Sequence, residues 1–434
     1  MKKIILAFLL ITNYIQAQTS LDKMDSLLVY FNDHKKFLGQ TSFKLGNSTV
    51  YAKTFGYTKD PKENTYTNNS RYRIGSISNT FTATMIMQLV EEKKLKLTDK
   101  LSKFYPKVDN AKRITIQNLL NHRSGIPDYV YGENPINIHN KKLTKQDALK
   151  KIYSYKNQFE PNSRLNFSTS NYLLLSLIIE DVTKESYNTN LQKRICKPLK
   201  LYNTYLGGKE INGKNNEVYS YKYKNKNWEL YPETNLTVLQ GAGGIISTAQ
   251  DLTSLMNGIF TNIIISKESL DLMTTIKDGF GFGLAHVPFN GRNVLGHGGK
   301  LDGFETFVGY YPQEKFSHAF LYNGNNTDLN QLNTDALSVY YRLPYKFPEF
   351  IEIEIPEETL KGYTGLYKSE DMPMIKISLV DGDLYAQLSG QNAFPLTPKT
   401  NNQFTFDPAQ VKITFENGKL TINQSTAIFI YQKI

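Results

Sequence analysis

The run Ile74-Gly75-Ser76-Ile77-Ser78-Asn79-Thr80-Phe81-Thr82-Ala83 constrains this chain more than any other stretch. A β-like segment precedes it. Behind it Phe81, Met85, Ile86, Leu89 and Val90 recur at helical spacing, which predicts a helix continuing to about Lys94. Ser76 therefore falls where a helix begins. Ser76 and Asn79 are three apart and emerge on one face, and the free N–H groups and dipole of a helix start favour a developing negative charge. A nucleophile profits from that place.

Taken in order, 20–37 has a capped amphipathic pattern, with Leu21, Met24, Leu27, Leu28 and Phe31 on one side. Residues 40–57 alternate as two strands about Gly46-Asn47. Ile114 to Tyr129 contains Leu119-Leu120-Asn121-His122-Arg123-Ser124-Gly125, in which His122 reads as a structural residue holding the loop through Ser124-Gly125 rather than as a base. Phe159 to Tyr172 leads into an apolar helix through Leu173, Leu174, Leu177 and Ile178, and Gln240 to Asp251 opens another with Ser247 or Thr248 as N-cap. Gly279-Phe280-Gly281-Phe282-Gly283-Leu284 begins a series of strands that includes Gly296-His297-Gly298-Gly299-Lys300. Pro344 to Pro356 reads as a linker. Beyond it, turns at Asp381-Gly382 and Asn417-Gly418 separate short antiparallel strands.

At 434 residues and 40% hydrophobic composition, the chain can bury a sizeable core and has length for more than one domain. Met1-Lys2-Lys3, the apolar run Ile4 to Ile11 and Ile15-Gln16-Ala17 read as a signal peptide over 1–17, which predicts a secreted or periplasmic protein. That run is far shorter than the ~20 residues a membrane span needs, so no stable span is expected. No cysteine stands directly after the cleavage site, where Gln18 lies, and the sole Cys196 has no intrachain partner for a disulfide. The net charge of +11 comes from scattered lysines with no basic block interleaved with stacking aromatics, which argues against a nucleic-acid partner. Six histidines without an H-E-x-x-H or similar spacing predict no metal, and no cofactor is expected.

Three ordered segments within about Leu21 to Tyr341 resemble the motifs of the serine β-lactamase and penicillin-binding-protein superfamily, especially its class C β-lactamase and DD-peptidase branch. The first is S-x-x-K, here Ser76-Ile77-Ser78-Asn79. The second, Tyr-Ser/Ala-Asn, aligns on Asn171-Tyr172 with Phe167, Ser168 and Thr169. The third, Lys/His-Thr/Gly-Gly, is His297-Gly298-Gly299. The resemblance implies an α/β transpeptidase-like domain over 18–344, with an antiparallel sheet flanked by helices, and a small antiparallel β-barrel-like domain over 345–434. It implies Ser76 as nucleophile, an oxyanion hole from the backbone N–H groups of Ser76 and Lys300, and a cleft edge of His297, Gly298 and Gly299.

The sequence departs from the pattern where protons move. Asn79 replaces the lysine that accepts or relays the serine proton, Phe167 lacks the phenol of the shuttle, and Thr169 lacks the amide that holds a substrate carbonyl. Two readings follow. One is a non-catalytic or attenuated relative that binds a small molecule, peptide or cell-wall fragment in the cleft. The other is a serine hydrolase for a β-lactam, D-amino-acid peptide or ester, with a modified proton route through His297. Lys300 is the poorer base, since it lies three residues beyond His297 on a strand and points to the opposite face.

Overall fold

The computed structural model describes residues 20–434 apart from 57–65, 225–226, 351–352, 354, 371, 381, 392, 407–408 and 425–426. The expected signal peptide, Asp381 of the Asp381-Gly382 turn and part of the 344–356 linker lie outside the described residues. The chain divides into two compact units, one running to residue 345 without 224–227, the other comprising 224–227 and 346–434.

In the first unit the alternating segments around Gly46-Asn47 form a hairpin of strands Phe37–Leu45 and Ser48–Phe55. The late segments of the unit complete a six-stranded antiparallel sheet. Its order is Ser48–Phe55, Phe37–Leu45, Phe316–Asn325, Phe304–Tyr311, Leu295–Leu301 and Ala285–His286. The last strand is two residues long and pairs with Gly296 and Leu295, so among the described residues no strand pairs with 297–301 on that side. The Gly279–Leu284 segment, expected to begin the strand series, is instead a bent loop, and pairing in the sheet starts only at Ala285. The first helix covers 20–33 and stops short of Phe37, which is already in a strand.

The helix after Ser76 runs Ser78–Glu91, ending before Lys94, and eleven of its residues are buried on all sides. A helix so enclosed must satisfy its own polar side chains. Thr80 donates to the Gly283 carbonyl, Thr82 to the Gly241 carbonyl and Thr84 to the Thr80 carbonyl, each at 2.7 Å. Leu173, Leu174, Leu177 and Ile178 lie in the helix Thr169–Thr183, buried in the same core as Phe81, Met85, Ile86 and Leu89. Thr248 caps the helix Ala249–Phe260 by accepting from the Asp251 N–H at 3.2 Å. Cys196 is buried in this unit, and burial pushes its thiol up to about 12.

The second unit is a nine-stranded antiparallel sheet that nearly closes on itself. Its two terminal strands, Phe394–Pro395 and Thr397–Pro398, are separated by Leu396 alone. Strands Val411–Glu416 and Lys419–Gln424 pair across the Asn417-Gly418 turn. Their alternate residues Ile413, Phe415, Leu420 and Ile422 enter a core shared with Tyr367, Ile375 and Leu384. No helix among the described residues is long and apolar enough to cross a membrane.

Candidate active site

Two glycines bring the first and third motif segments together. Gly75, with φ of +53°, sits where an added Cβ would lie 3.0 Å from the Lys300 nitrogen. At Gly299 an added Cβ would lie 2.1 Å from the Ile74 carbonyl oxygen, closer than any real contact allows. Thr306, the cross-strand partner of Gly299, fastens the junction by donating to the Ile74 carbonyl at 2.9 Å. Ser76 lies in the short 3-10 turn Gly75–Ile77 that leads into the helix Ser78–Glu91. It shares a cleft of about 850 Å³ with Phe167, His297, Gly298, Gly299 and Lys300.

Asn79 is one turn further on and 1% exposed, and neither its Oδ1 nor its Nδ2 has a hydrogen-bond partner among the described residues. The threonines of the same helix are all satisfied. The amide has no useful basicity, and Lys300 does not take its place: its side chain is 74% exposed and pairs with Glu305 at 2.9 Å.

The segment carrying Phe167, Ser168 and Thr169 is held from behind. His122, with φ of +55°, stacks its ring on Phe167 at 4.3 Å, and its Nδ1 accepts from the Ser168 N–H at 3.2 Å. Burial, reinforced by the neighbouring His297, pushes His122 down to about 3, so it stays neutral. His122 is thus structural, but it secures 166–171 rather than 124–125, and Ser124 bonds to Asn171 instead. Thr169 is committed elsewhere: both its N–H and its hydroxyl donate to Asp128 Oδ2, at 2.8 and 2.7 Å. The other Asp128 oxygen accepts the N–H groups of Val130 and Tyr131 at 2.7 and 3.0 Å.

His297 is 4% exposed. Its Nδ1 lies 2.6 Å from the Gly298 carbonyl oxygen, while Nε2 has no partner among the described residues. Burial lowers its basicity, partly offset by the Gly298 contact. Phe167 and Phe280 flank it, with ring centroids at 6.3 and 6.5 Å.

Three cleft residues escaped the sequence reading. Tyr131 lies two residues beyond the Ile114–Tyr129 segment, is exposed, and donates to the Lys300 carbonyl at 3.4 Å. Partial desolvation at the cleft wall, with Asp128 and Asp302 nearby, pushes its hydroxyl up to about 12 although much of the ring is open to solvent. Phe280 belongs to the glycine-rich run read as a strand. Asp302 is buried against Arg73 at 3.3 Å and accepts from the Thr234 hydroxyl at 2.5 Å. The proximity of these loops is tertiary, and only the aromatic in a Gly-Phe-Gly-Phe-Gly run offered a signal.

A family model described as Beta-lactamase matches residues 45–341. Penicillin-binding protein 4* of Bacillus subtilis (strain 168) is 26% identical over 425 residues, covering 91% of this chain and 94% of the relative. Protein flp of Staphylococcus aureus (strain N315) is 27% identical over 288 residues, and the match spans 63% of this chain and 57% of that protein. Among solved structures, the octameric penicillin-binding protein homologue from Pyrococcus abyssi superposes with a TM-score of 0.68 at 25% identity, covering 94% of this chain and 99% of that one. D-amino acid amidase from Ochrobactrum anthropi SV3, complexed with L-phenylalanine amide, shares the fold, with a TM-score of 0.67 at 22% identity and coverage of 75% and 99%.

Proposed function

The chain belongs to the β-lactamase family, and from that premise we propose that it is an exported, catalytically impaired relative of the family's serine hydrolases whose cleft binds a peptide or cell-wall fragment. One observation carries the reading: the position that the resemblance gives to the lysine is the buried, uncharged and unpartnered Asn79. Acyl transfer needs a base for the serine and a proton for the leaving group. Phe167 offers no hydroxyl for the second task, and Thr169 is spent on Asp128. General acid–base catalysis contributes about 10²–10⁴-fold, so with both groups lost a cleft of this kind retains binding but little turnover. The similarity to Penicillin-binding protein 4* supports a cell-wall ligand, and the Met1–Ala17 pattern supports export.

The second reading, a serine hydrolase with a modified proton route, is favoured by the unpartnered Nε2 of His297 in the cleft that also holds Ser76. Nitrocefin and p-nitrophenyl ester hydrolysis by wild type and Ser76→Ala separates the two. Equal rates are expected. A Ser76-dependent rate of several turnovers per second, within the ordinary enzyme range, overturns the first reading in favour of the second.

A further inference from the structure

We propose that the cleft at Ser76 selects a neutral carboxamide group over a carboxylate, with the amide N–H received by His297 Nε2; this deepens the ligand-binding reading and rests on it. The Gly298 carbonyl can only accept, so the 2.6 Å contact requires the hydrogen of the imidazole to sit on Nδ1. Nε2 is then left as a lone pair. It belongs to a side chain more than nine-tenths buried, has no partner among the described residues, and its ring lines the cleft beside Ser76. A buried acceptor left unpaired costs free energy that a ligand N–H recovers.

Among the described residues, the charged groups nearby are already paired. Lys300 pairs with Glu305, and Arg73 faces Asp302. Asp128 is occupied by the donors of Thr169, Val130 and Tyr131. Asn79 behind Ser76 is neutral, where a lysine would attract an anion. A carboxylate entering beside His297 sets its second oxygen against the Nε2 lone pair, with burial holding the imidazole unprotonated. A carboxamide presents an N–H there and keeps its carbonyl oxygen for a backbone N–H. The aromatic rings of Phe167, Phe280 and Tyr131 along the cleft suit an apolar side chain on the same ligand.

Titration calorimetry of the full chain with N-acetyl-D-phenylalaninamide, N-acetyl-D-phenylalanine and a D-alanyl-D-alanine peptide tests this. The amide is expected to bind roughly tenfold tighter than the acid, as fits one unpaired buried acceptor. That preference should fall to within about threefold in His297→Phe. In Asn79→Lys, which restores a cation without touching His297, it should shift towards the acid. Both variants are checked for wild-type melting. Equal or tighter binding of the acid to wild type overturns the proposal, as does a preference unchanged in both variants. If the peptide binds and neither phenylalanine derivative does, this inference fails while the cleft-binding reading stands; if none of the three binds, both fail.

Discussion

Replacing Asn79 with leucine should stabilise the protein. The amide is 1% exposed and both its polar atoms lack partners among the described residues, although the other polar side chains of that helix face are satisfied. Burying an amide without hydrogen bonds costs about 1–3 kcal/mol by protein mutational data. Leucine has the same branching and no polar atom, and its extra volume takes back about 1 kcal/mol, the low end of what overpacking costs. A net gain of up to about 2 kcal/mol corresponds to a rise of up to about 3 °C in melting temperature for a unit of roughly 300 residues. Thermal melts followed by circular dichroism, with urea midpoints at unchanged m-value, read this directly. The internal control is Thr82→Val. That change removes the donor to the Gly241 carbonyl and the contact with the Tyr187 hydroxyl at 2.6 Å, so it should destabilise by about 1 kcal/mol or more. If Asn79→Leu lowers the midpoint, the amide is not an uncompensated cost and the reasoning from its unpaired atoms is refuted.

Two further outcomes follow from the same structure. His318 sits among the rings of Phe43, Phe307, Tyr311, Phe316 and Phe320 with neither nitrogen partnered among the described residues, and burial pushes it down to about 3 from the usual 6.5. Below pH 6.5 the unfolded chain binds a proton that the native histidine refuses, so stability falls as the pH drops towards 3. His318→Phe should reduce the loss between pH 7 and pH 5 by about 2 kcal/mol in urea titrations, and an unchanged slope refutes it. Asn79→Lys alone should restore less Ser76-dependent hydrolysis than Asn79→Lys with Phe167→Tyr and Thr169→Asn, because base, proton donor and carbonyl holder act as one unit. Full activity from the single change would show that 167–169 are not the impairment.

Much of this was legible in the sequence because it rests on local chemistry. The helix after Ser76 followed from its apolar spacing, and the hairpins from Gly46-Asn47 and Asn417-Gly418. Strand register at His297 to Lys300 was not legible: it depends on Gly75 and Gly299 permitting backbone contact between segments more than two hundred residues apart. The role of Thr169 escaped for a related reason, since its partner Asp128 lies on a separate loop. The glycine-rich run 279–284 looked like strand because aromatics alternate in it. Gly283 has φ of +63°, and an added Cβ would press on the Asn79 carbonyl oxygen at 2.7 Å, so the run is held as a loop against the helix start.

Intact-protein and peptide mass spectrometry after incubation with a fluorescent penicillin or a fluorophosphonate tests the central claim most directly, because it asks whether Ser76 is nucleophilic at all. No adduct at Ser76 above that of the Ser76→Ala control is expected. Stoichiometric labelling of Ser76 within minutes would contradict it.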